Sequence, residues 1–98
     1  MTIEKMIDRS TAIVKIAGAL DTETAPQLEM LINSELAGIE DLTLDLEELE
    51  YVSSAGLRVI INAQKMMNAA GKMKVVHVNE SIMEIFEITG FTTILTIE

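Results

Sequence analysis

A chain of 98 residues has room for one domain around one core, with about 60–65% of its unfolded surface becoming buried, so residues 1–98 read as a single unit. Apolar residues at 49% and charged residues at 23% are enough for folding without a metal, and the lack of cysteine removes disulfide frameworks, thiolate zinc sites and cysteine nucleophiles together. A formal net charge of -9, with seven scattered lysines and arginines, argues against nucleic acid and favours basic protein partners.

The chain opens Met1-Thr2-Ile3-Glu4-Lys5, without the apolar stretch of a signal peptide, and no later window reaches the ~20 apolar residues of a membrane span. A cytoplasmic protein with no membrane partner is expected. Strands are predicted near Ile3 to Ile7 and Ala12 to Ala17, joined by a turn at Asp8-Arg9-Ser10. The first helix follows Asp21-Thr22, either of which suits the N-cap. It has Pro26 in its first turn, lines up Leu28, Leu31, Ile32 and Leu36, and stops at Gly38.

Leu42, Leu44 and Leu46 alternate with Thr43, Asp45 and Glu47, the period-two pattern of a strand buried on one face. A second helix is predicted from about Ala55 to Ala70, ending at Gly71, and a strand from Met73 to Val78. The third helix lies between Asn79 and Thr89, with Gly90 as its stop and Ser81-x-x-Glu84 as a capping box, before a last strand from Thr92 to Ile97. The order ββαβαβαβ implies an α/β fold with a mixed, mostly parallel sheet. Right-handed crossovers in one direction put the helices mainly on one face, as the alternation at Leu42 to Glu47 requires.

On a helical wheel Gly56, Val59, Ile60, Ala63, Met66, Met67 and Ala70 form the core stripe of the second helix. Ser54, Arg58, Asn62 and Lys65 face solvent, and Leu57 and Ile61 fall on the flank, an apolar docking surface beside Ser54. A first-turn serine at the positive end of a helix dipole is where a phosphate meets free backbone N–H groups. The residues alone equally allow Ser53 or Ser54 to be a simple N-cap, with the two apolar side chains packed against a loop.

The run Asp45-Leu46-Glu47-Glu48-Leu49-Glu50-Tyr51-Val52-Ser53-Ser54-Ala55-Gly56-Leu57-Arg58 resembles the signature of the STAS domain family of anti-sigma factor antagonists. There an Asp-Leu strand leads to an aromatic, an aliphatic residue, Asp or Ser, the phosphorylated Ser, a small residue, Gly and Leu. Gly18-Ala19-Leu20-Asp21 and Ile88-Thr89-Gly90-Phe91 are similar to two further family motifs. The resemblance implies that Ser54 is the phosphorylated residue, with Ser53 as an alternative acceptor where Asp is frequent in the family.

It also implies an anti-sigma factor that is a GHKL-type serine kinase using ATP and magnesium, bound while Ser54 is unphosphorylated, and a PP2C-type phosphatase that restores this state. This chain is then a substrate, not an enzyme, and needs no cofactor. Leu57, Arg58, Ile61 and Asp21 are the expected partner-binding residues, Asp21 because it follows a strand at the same sheet edge as Ser54. A scaffolding STAS module that binds a non-kinase partner without phosphorylation is the alternative.

Other candidates have plainer roles. Asp45 ends a strand as a response-regulator phosphoacceptor does, but the accompanying acidic cluster is missing. His77, the single histidine, has no second ligand at metal-binding spacing and is expected to be structural. Glu47, Glu48 and Glu50 read as a solvated acidic loop that can orient a basic partner, and the methionines as core filler.

Overall fold

A computed structural model describes all 98 residues. Strand β1 (Thr2–Asp8) returns through Arg9 and Ser10 into the long strand β2 (Thr11–Leu20), and the antiparallel register sets Asp8 opposite Thr11. Arg9 takes the left-handed backbone conformation (φ 57°) that so tight a turn demands. Helix α1 (Ala25–Glu35) leads to β3 (Asp41–Asp45), β4 (Leu49–Val52), helix α2 (Ser54–Ala70), β5 (Lys72–Val76) and helix α3 (Glu80–Thr89).

The sheet runs β1-β2-β3-β5, antiparallel at the first pair and parallel after it. Strand β2 is long enough to serve two parallel partners: Thr11 to Lys15 pair with β3, and Gly18 to Leu20 pair with β4. Alternate residues Ala12, Val14 and Ile16 of β2, Leu42 and Leu44 of β3, and Met73 and Val75 of β5 are buried under the helices. Ile13 and Lys15 of β2 face solvent from the opposite side. The one-sided covering expected from period-two alternation is therefore present.

Helix α1 buries Leu28 and Ile32, and Leu36 just beyond it, while Gly38 turns the chain with φ 84°. At the start of α3, the Asn79 carboxamide accepts the Ile82 N–H at 3.0 Å and donates to the Leu49 carbonyl at 2.8 Å. Asn79, not Ser81, is thus the cap, because it also ties the helix to β4.

Two elements differ from expectation. Strand β4 occupies part of the segment read as an acidic loop; it is four residues long and is held by pairing with distant β2. The expected last strand shrinks to one bridge between Val75 and Ile97, preceded by a 3-10 turn at Phe91–Thr93. Local bonds win there: the Thr93 hydroxyl donates to the Gly90 carbonyl at 2.8 Å, and the Leu95 N–H to the Phe91 carbonyl at 2.8 Å.

Candidate functional site

The four parallel strands end on one edge of the sheet, so Asp21, Asp45, Ser53 and His77 each follow or close a strand there. The junction of β4 and α2 is drawn onto the end of β2, where the Ser53 N–H donates to the Leu20 carbonyl at 2.9 Å. Gly56 permits this approach. A Cβ at Gly56 would stand 2.7 Å from both Leu20 Cγ and the Leu20 carbonyl oxygen, and 2.9 Å from Val52 Cγ2.

The two serines have different roles. Ser53 is the N-cap, in extended conformation, with its Oγ accepting the Gly56 N–H at 3.4 Å and its carbonyl taking the first helical bond from Leu57 at 2.9 Å. Ser54 is the first helical residue and its side chain is exposed. The N–H groups of a helix's first turn have no intrahelical acceptor, so the dipole and free donors at this end favour an added anion.

Asp21 acts through the turn before α1. Its Oδ1 accepts the Glu23 N–H at 2.9 Å, the Thr24 N–H at 3.0 Å and the Thr24 hydroxyl at 3.1 Å. Thr24 holds the N-cap position without a side-chain cap bond, and Asp21 caps the preceding turn in its place; Thr22 takes no part. The Thr24 N–H, outweighing desolvation and assisted by the Thr24 hydroxyl and the Glu23 N–H, holds the Asp21 carboxyl below the usual aspartate range. The residue expected at a binding surface is thus also a structural cap beside Leu20, whose carbonyl receives Ser53.

The expected docking pair divides. Leu57 is buried, at 7% exposure, so it belongs to the core and not to an exposed apolar contact. The buried face of α2 is wider than one stripe: Gln64, two turns on, is 2% exposed, and its Oε1 accepts the Thr96 N–H at 3.4 Å. The C-terminal segment therefore closes over a flank that the wheel left open. Ile61 is half-buried and Arg58 exposed, so these two remain on the surface near Ser54. Toward the far end, Met66 is only half-buried and Ala70 exposed.

A groove of about 830 Å³ opens between the β3–β4 connection and the start of α3, with Glu47, Glu48, Glu50 and Glu80 in its wall. Glu80 joins the acidic run only through the fold. His77, expected to be structural with no second ligand near it, lies just past β5 with Nδ1 3.1 Å from Asp45 Oδ1 and 3.7 Å from Glu47 Oε2. The parallel pairing of β3 with β5, which no local pattern reveals, brings them together. Partial burial raises the Asp45 carboxyl, but the Glu47 N–H and His77 outweigh it and leave its pKa below the usual range.

The STAS domain family model matches residues 2–98. An anti-sigma-B factor antagonist from Staphylococcus aureus is 33% identical over 84 residues, 84% of this chain and 78% of that one. Among solved structures, an anti-sigma factor antagonist from Mycobacterium paratuberculosis superposes with a TM-score of 0.87 at 23% identity, covering 98% of this chain and 83% of that one. The Bacillus cell fate determinant SpoIIAA in its phosphorylated form does so with a TM-score of 0.77 at 17% identity, covering 99% and 91%. No helix is long and apolar enough to cross a membrane. With its fold and its sequence relatives in agreement, the chain belongs to the STAS domain family, among the anti-sigma factor antagonists.

Proposed function

We propose that this chain binds an anti-sigma factor while Ser54 is unphosphorylated, and that the anti-sigma factor is also the kinase that phosphorylates Ser54 and so ends the complex. The observation that carries this reading is the division of labour between the serines: Ser53 is committed to the cap, while Ser54 is exposed on the first turn of α2. A phosphate there brings a charge of about -1.5 to -2 into a surface that also holds Ile61 and Arg58. Within a docked interface that charge must be desolvated beside Ile61 without donors built to receive it, which opposes the complex.

The acidic groove supports a partner surface that is basic, steered by Glu47, Glu48, Glu50 and Glu80. A PP2C-type phosphatase would regenerate the binding form. The kinase supplies ATP and magnesium, and this chain acts as substrate and ligand. Intact mass with site mapping, on protein isolated from its own cells, tests the assignment. One phosphate on Ser54, absent from Ser54→Ala, is expected; a phosphate on Ser53, or none under any growth condition, would overturn it.

A further inference from the structure

We propose that Asp45, Glu47 and His77 form a binding site for a divalent transition metal of the zinc class, separate from the Ser54 switch. One ligand atom from each lies within 4.8 Å of the others. The two separations from His77 Nδ1, 3.1 Å to Asp45 Oδ1 and 3.7 Å to Glu47 Oε2, bracket a tetrahedral edge. Zinc bonds of 2.0–2.1 Å to nitrogen and oxygen give an edge of roughly 3.3 Å. The third edge, Asp45 to Glu47, lies within 4.8 Å, and rotation of the exposed Glu47 side chain can close it onto one ion.

The backbone beneath the site is fixed by the sheet. Asp45 pairs with Val76 in adjacent parallel strands, and the Leu46 N–H donates to the Val76 carbonyl at 3.1 Å. His77 follows directly, and its left-handed backbone (φ 56°) turns the chain where its ring meets Asp45. Asp45 is oriented by the Glu47 N–H, which it accepts at 3.0 Å, the kind of outer bond that steadies a metal ligand. Its side chain is 12% exposed, against 59% for His77 and 65% for Glu47, so the ligand set has a held base and an open mouth.

The donor set selects the metal. One imidazole and two carboxylates suit zinc or nickel, whereas magnesium and calcium seek more oxygen ligands. The chain has one histidine and no cysteine, so no second nitrogen or thiolate cluster competes. Lys15, set opposite Asp45 in the register of β2 and β3, is the positive charge that a metal must outbid. A bound ion would pin the β3–β4 connection to the end of β5, reduce the negative charge at Glu47 in the acidic groove, and leave a coordination position for water or a partner's side chain.

The test is a calorimetric titration of the tag-free, chelator-treated chain with zinc chloride, in parallel with magnesium chloride and with thermal melts. One zinc per chain at micromolar concentration, a raised Tm and no response to magnesium are expected. His77→Gln and Glu47→Gln, both exposed positions whose folding is checked by circular dichroism, each remove a ligand and should weaken zinc binding at least as much as the ~10–100-fold that loss of an outer-shell support costs. Absence of zinc binding to the wild type, equal binding of magnesium, or unchanged affinity in both variants would overturn the proposal.

Discussion

The Ser53 N–H and the Leu20 carbonyl meet at 2.9 Å, and this bond makes Asp21 and Ser54, the next residues along each segment, neighbours on one edge of the sheet. Gly56 sits beneath the contact because any side chain there would press on Leu20 and Val52. Gly56→Ala is predicted to push α2 off β2 and cost about 1–3 kcal/mol, the usual price of overpacking, outweighing alanine's better helix propensity. Urea denaturation reads this as a lowered midpoint with an unchanged slope.

Burial separates the residues on the flank of α2. Leu57→Ala should destabilise by about 2–5 kcal/mol, as for other buried leucines, whereas Ile61→Ala should cost about 1 kcal/mol or less. Arg58→Ala should leave stability within about 0.5 kcal/mol and weaken the partner complex. Denaturation and partner titration of the three variants check both halves.

Phosphorylation of Ser54 is predicted to stabilise the isolated domain even as it weakens the complex. The phosphate sits at the helix N-terminus, one turn before exposed Arg58, an i,i+4 spacing that lets the opposite charges meet. A gain of about 1 kcal/mol corresponds to a rise of roughly 4–8 °C in Tm for a domain of this size. The gain should shrink in Arg58→Ala and in high salt, read by comparing melts of both forms.

Asp21 and Asp45 give the stability a defined acid dependence. Both carboxyls have folded pKa values below the ordinary one, so the unfolded chain binds their protons first. Their stabilisation is complete above about pH 3.9, the unfolded aspartate value, and is lost as pH falls through the lower folded values. Compared with wild type, Asp21→Asn and Asp45→Asn should each lose stability at neutral pH and show a flatter decline below about pH 4. Urea midpoints across that range measure the difference.

Local patterns carried most of the fold. The alternation of Leu42, Leu44 and Leu46, the i,i+4 spacing of Leu28 and Ile32, and the stops at Gly71 and Gly90 are properties of short windows, and they read correctly, whereas the first helix ends at Glu35, before Gly38. Long-range partners decided what did not. Strand β4 exists because β2 extends past β3, and Leu57 is buried on a flank that the C-terminal segment closes at Gln64. At the site, Ser54 and Asp21 were legible as residues that follow strands. The contacts of His77 with Asp45 and Glu47 depend on the order of β3 and β5 in the sheet, which a single sequence does not print.

The most direct measurement is the affinity of the anti-sigma partner for the unmodified chain and for the chain carrying phosphate on Ser54, titrated side by side in one buffer. The predicted weakening is about a hundredfold, roughly 2.7 kcal/mol, with Ser54→Asp intermediate because one carboxylate supplies less charge and fewer oxygens than a phosphate. Equal affinity of the two forms would contradict the switch at Ser54.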